Sequence, residues 1–163
     1  MAAAEGMGLA PWAALGGGTF KTAAQREEIA KNGNPGRQTE PRDIDIAVSK
    51  VLEKVAARYN TVITSIALAY VMHKAPYVYP IVGGRKVEHL QSNIDALKIQ
   101  LSEQDIEEIE GAYEFDLGFP GNFLFRGYKQ EAHPSNVPFM NATARIDYPD
   151  LERAPRVKSL EEI

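Results

Sequence analysis

The sequence predicts an α/β fold in which parallel strands alternate with helices. Two short apolar segments, residues 7–12 and 78–82, have the length and composition of buried strands. Residues 44–73, between them, repeat apolar side chains at helical spacing, and further helical patterns follow the second segment. Strands and helices in this order indicate parallel βα units, in which helices cover both faces of a sheet.

The stretch between the two strands predicts a long loop and two helices. Residues 19–42 are polar and rich in turn-forming residues, which favours a long connecting loop. Residues 44–58 have an amphipathic helical pattern, with Asp43 in position to cap the helix. A second, more apolar helix is predicted for residues 64–73 and ends before Pro76.

The stretch after the second strand predicts two more helices and a tail. The first covers residues 87–97. Its buried side chains are expected to be Leu90, Ile94 and Leu97. Ser102 and Asp105 form a capping-box pattern ahead of another helix, which ends near Gly111. The chain beyond Tyr113 is rich in Pro, Gly, Asn and aromatic residues without a sustained period, which predicts an extended tail.

Composition and charge exclude several classes of function. The chain has 163 residues, about the length of one domain, and its formal net charge of −4 does not favour nucleic-acid binding. It has no cysteine for a disulfide or thiolate metal site, and its three histidines lack metal-ligand spacing. No apolar run is long enough to span a bilayer, and we expect a cytoplasmic protein.

A candidate anion-binding turn joins the second strand to the helix that follows it. Gly83 and Gly84 precede the basic pair Arg85 and Lys86, and the helical pattern begins at once. Glycines let the backbone approach an anion, and the N–H groups and dipole at a helix N-terminus attract negative charge. The alternative is a simple strand-to-helix turn followed by two solvated cations. The residues alone leave both interpretations open.

A resemblance to a known family is carried by motifs in three parts of the chain. They are residues 5–12 with 15–18, residues 69–72 and 80–86 with Leu90 and 93–94, and residues 115–120 with Asn122 and Phe123. They are similar to the seventh strand and its loop, the eighth strand with the last helix, and the C-terminal signature of fungal aldo-keto reductases. The branch is that of aryl-alcohol dehydrogenases and norsolorinic acid reductases. The resemblance implies the C-terminal part of a (β/α)8 TIM barrel over residues 1–125, with strands 7 and 8 and their helices. A loop-like or disordered tail would follow over residues 126–163.

The resemblance also implies an activity, namely hydride transfer between NADP(H) and a small-molecule carbonyl or alcohol. Aryl alcohols or intermediates of fungal secondary metabolism are the expected substrates. The family takes its catalytic tyrosine, lysine, histidine and aspartate from the first half of the barrel, and no matching motif occurs here. We therefore assign no catalytic residue and expect a truncated chain. The alternative is a non-catalytic remnant or a partner-dependent fragment. Self-association through exposed barrel edges is expected, whereas nucleic-acid, membrane and metal binding are not.

Site residues carry over from the family position by position. The cofactor-binding set is Gly83, Gly84, Arg85, Lys86, His89, Asn93, Trp12, Leu15, Gly16 and Gly17. Arg85 and Lys86 would meet the adenosine 2′-phosphate, and Asn93 would contact the adenine. A substrate pocket would be formed by Trp12, Phe119 and Phe123. The alternatives are that Trp12 is a core residue and that the phenylalanines anchor the tail.

Overall fold

The computed structural model of this protein describes residues 5–33, 40–116 and 118–125, together with the single positions 2, 142 and 154. The chain divides into two units, one containing Met1–Tyr113 and the other Glu114–Leu151. The helices of the first unit are α1 (Ala23–Asn32), α2 (Asp43–Arg58), α3 (Ile63–His73), α4 (Val87–Asp95) and α5 (Glu103–Glu110). The second unit contains a short helix, α6 (Gly121–Phe125).

The core of the first unit lies where α2, α3 and α5 meet. Leu52 and Val55 of α2 pack with Ile66 of α3 and Ile109 of α5, and all four are buried. Burying one such side chain contributes about 1.5–3 kcal/mol, so this cluster is the main apolar stabilisation of the unit. The helices predicted for residues 44–58 and 64–73 are confirmed to within one residue at their start.

A pair of extended segments, residues 9–11 and 77–81, runs parallel and is called the parallel pair below. The N–H of Leu9 donates to the carbonyl oxygen of Tyr77 over 2.9 Å, and the N–H of Tyr79 donates to Leu9 over 2.7 Å. Ile81 then donates to the carbonyl oxygen of Pro11 over 3.0 Å. Between the last two of these bonds, a regular parallel ladder would have a bond from the N–H of residue 11 to the carbonyl oxygen of Tyr79, and proline has no N–H to donate. The described residues therefore contain an isolated parallel bridge, Leu9 with Val78, rather than full strands.

The expectation that residues 78–82 form a buried strand is wrong in one respect. The segment is extended and parallel to residues 9–11, yet the side chains of Tyr79, Ile81 and Val82 are exposed. They are exposed because no described element packs over these side chains. The α/β class itself rests on this parallel pairing and on the family assignment reported below.

The prediction of a loop over residues 19–42 is wrong for its first half, because α1 forms there. Thr22 caps it: its Oγ1 accepts from the N–H of Gln25 over 3.2 Å, and Gln25 Oε1 accepts from Thr22 in return over 3.0 Å. Arg26 of α1 also donates to Ser49 of α2 over 2.9 Å. The Thr-x-x-Gln capping box was the sequence signal for this helix.

The helix predicted over residues 87–97 forms as α4 and a 3₁₀ turn, Ala96–Lys98, but its expected burial is wrong. Leu90, Ile94 and Leu97 are exposed, and Leu90 retains 56% of its accessible surface. The buried positions are instead Asn93 and Ala96, which face α3. The helical spacing of these apolar residues was predicted correctly, but no described element packs over their side chains.

The last predicted helix is confirmed as α5. Ser102 is its N-cap, and Ser102 Oγ accepts from the N–H of Asp105 over 3.1 Å, as the capping-box pattern indicated. The predicted tail, residues 126–163, lies outside the described residues apart from positions 142 and 154, so its loop-like character and the boundary at residue 125 stay predictions.

In the part of the chain that the structure describes, no single helix is long and apolar enough to cross a membrane. Helices α2 and α3 reach the necessary length and apolar composition only when taken together, and a bend of 96° separates them.

Candidate functional site

Both candidate loops leave the parallel pair at the same edge. Because Ile81 donates to Pro11, residues 9–11 and 77–81 end side by side. Trp12 and the glycine loop follow the first segment, and Gly83 with the basic pair follows the second. In parallel sheets, ligands bind at the carboxyl ends of the strands, where the following loops converge. The structure thus shows that the two loops carrying the cofactor set implied by the resemblance start from neighbouring positions.

The turn at residues 83–86 is exposed at every position. Lys86 is the N-cap of α4 in an extended conformation, and its side chain makes no capping hydrogen bond. Its carbonyl oxygen accepts from the N–H of His89 over 3.2 Å. Arg85 and Lys86 therefore place two cations beside the positive end of the α4 dipole, an arrangement that favours an anion.

Position 84 requires glycine because His89 lies close to it, and not because of its backbone conformation. A Cβ built on Gly84 would lie 2.7 Å from the Cβ of His89, a distance that real Cβ atoms do not show. A Cβ on Gly83 would meet nothing within 4 Å. The imidazole of His89 therefore packs over the turn, which holds the backbone of residue 84 against the first turn of α4.

Asn93 lies one helical turn beyond His89 but is only 8% exposed. The neighbouring Ser92 is held to α3, since Ser65 Oγ donates to its carbonyl oxygen over 3.0 Å. The structure therefore groups Gly84, Arg85, Lys86 and His89 at the surface, and it places Asn93 beneath them against α3. The expected adenine contact of Asn93 stays a prediction.

The glycine loop adopts backbone conformations that glycine favours. Gly16, Gly17 and Gly18 all have positive φ, at 69°, 61° and 97°. A Cβ on Gly16 would lie 2.8 Å from the ring of Phe20, so that position excludes any side chain on two grounds. Thr19 closes the loop, with Oγ1 donating to the carbonyl oxygen of Gly16 over 2.7 Å.

Trp12 is 73% exposed, which contradicts its interpretation as a core residue. It stands directly after Pro11, at the edge where both loops leave the parallel pair. An exposed indole at that position is available to stack on a planar ligand.

The remaining substrate-pocket residues, Phe119 and Phe123, belong to the second unit and are exposed. Their expected role in a substrate pocket with Trp12 stays a prediction.

A charged network that sequence reasoning missed joins the C-terminal end of α2 to α5. Arg58 donates to Asp105 over 2.5 Å and to Glu108 over 2.8 Å, and the hydroxyl of Tyr59 donates to Asp105 over 2.6 Å. Although partial burial opposes ionisation of Asp105, hydrogen bonds from Ser102, Tyr59 and Arg58 hold its pKa well below the usual range. Because these groups are hydrogen-bonded to one another, we interpret the network as a structural link between α2 and α5.

Two further ion pairs involve carboxylates of α5. Lys54 Nζ lies 2.6 Å from Glu108, and Lys74 Nζ lies 2.5 Å from Glu110. In the described ranges, no group of three His, Asp or Glu side chains converges as metal ligands would.

Comparison with known proteins matches these features to one family. The sequence pattern of the Aldo/keto reductase family fits residues 1–114. Norsolorinic acid reductase B of Dothistroma septosporum is 48% identical over 159 residues, which cover 93% of this chain. Norsolorinic acid reductase A of Aspergillus parasiticus is 44% identical over 166 residues, or 99% of the chain.

The chain spans about 40% of the length of both of these relatives. A putative aryl-alcohol dehydrogenase of Saccharomyces cerevisiae is shorter: it is 46% identical over 129 residues, which cover 76% of this chain and 85% of the yeast protein. The family pattern extends over more than half of the residues, from the first segment of the parallel pair through α5. The chain belongs to the aldo/keto reductase family.

Proposed function

We propose that this chain forms the NADP(H)-binding part of an aldo-keto reductase that interconverts small carbonyl compounds and alcohols. The observation that carries the proposal is the hydrogen bond from Ile81 to Pro11, because the two glycine-bearing loops start just beyond these two residues. The relatives named as norsolorinic acid reductases and as an aryl-alcohol dehydrogenase support an aryl carbonyl or alcohol as substrate. A cytoplasmic location is part of the same proposal.

The residues at the turn fit the phosphate end of this cofactor. Gly83 has open space around its Cα, Gly84 packs against His89, and Arg85 and Lys86 stand exposed at the start of α4. Arg85 can pair with two oxygens of a 2′-phosphate through its planar guanidinium, and Lys86 adds a second positive charge. The exposed Trp12 would cover the nicotinamide ring, with Leu15, Gly16 and Gly17 along the pyrophosphate.

The bound cofactor would supply the hydride that adds to the carbonyl carbon of the substrate. This chain would hold the cofactor and orient it, and we propose none of its residues as the acid that protonates the oxygen. In the family, that acid is a tyrosine from the first half of the barrel.

Direct binding measurements test the proposal. We expect the purified chain to bind NADP⁺ more tightly than NAD⁺, because only NADP⁺ carries the 2′-phosphate. Arg85→Ala should weaken NADP⁺ binding about tenfold or more, as expected for loss of one charge-assisted pair, and leave NAD⁺ binding nearly unchanged. Lys50→Ala, which removes an exposed cation from α2, is the matched control. Equal affinity for both nucleotides, or equal effects of the two substitutions, would reject the 2′-phosphate assignment.

A second candidate is a non-catalytic or partner-dependent chain, favoured by the exposed apolar residues around α4 and by the 40% span of the longer relatives. Such a chain is expected to self-associate through its exposed edges when purified alone. NADPH oxidation with an aromatic aldehyde separates the two candidates. Turnover by the 163-residue chain alone would exclude the second candidate.

A further inference from the structure

The C-terminal end of α1 places an exposed asparagine directly before a glycine. Asn32 is the last residue of α1, Gly33 follows it, and both are exposed. Of the seven asparagines in the sequence, Asn32 is the only one that glycine follows. The carboxamide of an asparagine can be attacked by the next backbone nitrogen, and glycine has no Cβ to obstruct that approach.

The reaction at this pair needs only the chain and water. The backbone nitrogen of Gly33 forms a bond to Cγ of Asn32 while the bond from Cγ to Nδ2 breaks. The proton of the N–H passes through solvent to the leaving amide, which departs as ammonia, and the product is a five-membered succinimide. Water then opens the ring at either carbonyl, which leaves an aspartyl or an isoaspartyl residue at position 32. No electrons are transferred.

A backbone hydrogen bond restrains the attacking nitrogen in the folded chain. The N–H of Gly33 donates to the carbonyl oxygen of Ile29 over 2.8 Å, which holds it against the last turn of α1. Helix ends fray readily, and α1 has no buried residue and contributes none to the core cluster. Opening of this turn therefore costs little free energy, and it releases the nitrogen of Gly33 for the reaction.

Asn60 stands in a similar setting and provides an internal comparison. It is exposed just beyond the C-terminal end of α2, and the N–H of Thr61 donates to the carbonyl oxygen of Ala56 over 3.0 Å. Two features differ from the end of α1. Thr61 has a branched Cβ beside the nitrogen, and α2 is anchored in the core by side chains such as Val55. Both features protect Asn60, and Asn32 has neither.

We propose that Asn32 is a site of spontaneous deamidation through a succinimide formed with Gly33, and that the weakly held end of α1 sets its rate. The modification adds a carboxylate at the C-terminal end of a helix, where the dipole disfavours negative charge. The isoaspartyl form also inserts a methylene into the main chain beside Gly33. Both changes weaken α1, which is the helix that follows the glycine loop Gly16–Gly18.

Peptide mapping of the incubated chain tests this proposal. The purified 163-residue chain would be held at neutral pH and physiological temperature, digested and analysed by mass spectrometry. Electron-transfer fragmentation distinguishes the aspartyl from the isoaspartyl product. We expect deamidation about tenfold or more faster at Asn32 than at Asn60, because opening free energies rise from near zero at fraying ends to the global value in core helices. Asn32→Gln should remove the signal, since its longer side chain cannot close the five-membered ring.

A second variant separates the local sequence from the helix that carries it. Thr61→Gly makes Asn60 the second asparagine before a glycine. In the folded variant, Asn60 should react faster than in the parent chain and still more slowly than Asn32, because α2 remains anchored. In urea the two sites should react at nearly equal rates. Circular dichroism checks that the variant is folded, and the comparison within the parent chain does not depend on it.

Two outcomes would overturn the proposal. One is an Asn32 that stays unmodified in the folded chain while the urea-unfolded chain is modified, because α1 would then protect the site. The other is equal rates at Asn32 and Asn60 in folded Thr61→Gly, because the neighbouring glycine alone would then set the rate.

Discussion

The backbone N–H of Ile81 donates a hydrogen bond to the carbonyl oxygen of Pro11 over 3.0 Å, and this contact sets the register of the candidate site. Because the two segments are parallel, Trp12 follows Pro11 at the edge where Gly83 follows the other segment. The chain leaves the pair just beyond Pro11, where Ala13 has a positive φ of 59°, and the glycine loop begins four residues after Trp12.

The contact between Gly84 and His89 predicts a strong difference between two adjacent glycines. Gly84→Ala should lower the free energy of unfolding by about 1–3 kcal/mol, because its Cβ would lie 2.7 Å from that of His89. Gly83→Ala should be nearly neutral, since nothing lies within 4 Å of its added Cβ. Urea denaturation of both variants measures the difference.

A second substitution identifies the atom responsible. His89→Ala retains a Cβ and should not rescue Gly84→Ala, whereas His89→Gly removes the Cβ and should recover part of the loss. Equal behaviour of the two double variants would show that the clash is not with the Cβ of residue 89.

The exposed indole of Trp12 predicts a fluorescence response to cofactor. Trp12 is the only tryptophan in the sequence, so intrinsic fluorescence excited at the indole band reports on this position alone. The free chain should be quenched readily by acrylamide because the side chain is 73% exposed. Saturating NADP⁺ should reduce that quenching if the indole covers the nicotinamide. Unchanged quenching at full NADP⁺ occupancy would remove Trp12 from the cofactor site.

The ion pair between Arg58 and Asp105 predicts a pH-dependent stability. The pKa of Asp105 is lowered in the folded chain, so its contribution is present above the ordinary aspartate pKa of about 3.9 and is lost as the pH falls towards the folded value. At pH 7, Asp105→Asn should lower the free energy of unfolding by about 2 kcal/mol, as expected for a buried hydrogen-bonded carboxylate. The difference from the parent chain should shrink as the pH drops below 4. Glu107→Gln, on the exposed side of α5, should show neither effect.

The capping box of α1 predicts a local effect. Thr22→Ala removes the acceptor for the N–H of Gln25 and should weaken α1 by about 1 kcal/mol. Hydrogen exchange should accelerate at the amides of α1 and remain slow in α2, because the core cluster does not include α1. Lys21→Ala, just before the cap, provides the comparison. Equal acceleration in both helices would indicate that α1 and α2 unfold as one unit.

Local patterns predicted much of this molecule. The amphipathic helical pattern of residues 44–58 and the Ser102–Asp105 capping box depend on contacts within a few residues, and the structure confirms the helices that they indicate. The two predicted strands correspond to extended parallel segments, which are joined in the described residues by an isolated bridge and do not form full strands.

Burial and the position of the candidate site depend on which surfaces of the chain meet, so only the tertiary structure shows them. The spacing of apolar residues predicted that Leu90 is buried. Only the packing of α4 on α3 shows that Asn93 and Ala96 are buried and that Leu90 is exposed. In the same way, no local pattern could place Trp12 beside the turn at Gly83. Those residues lie about seventy positions apart in the sequence, and a backbone hydrogen bond between distant segments brings them to one edge.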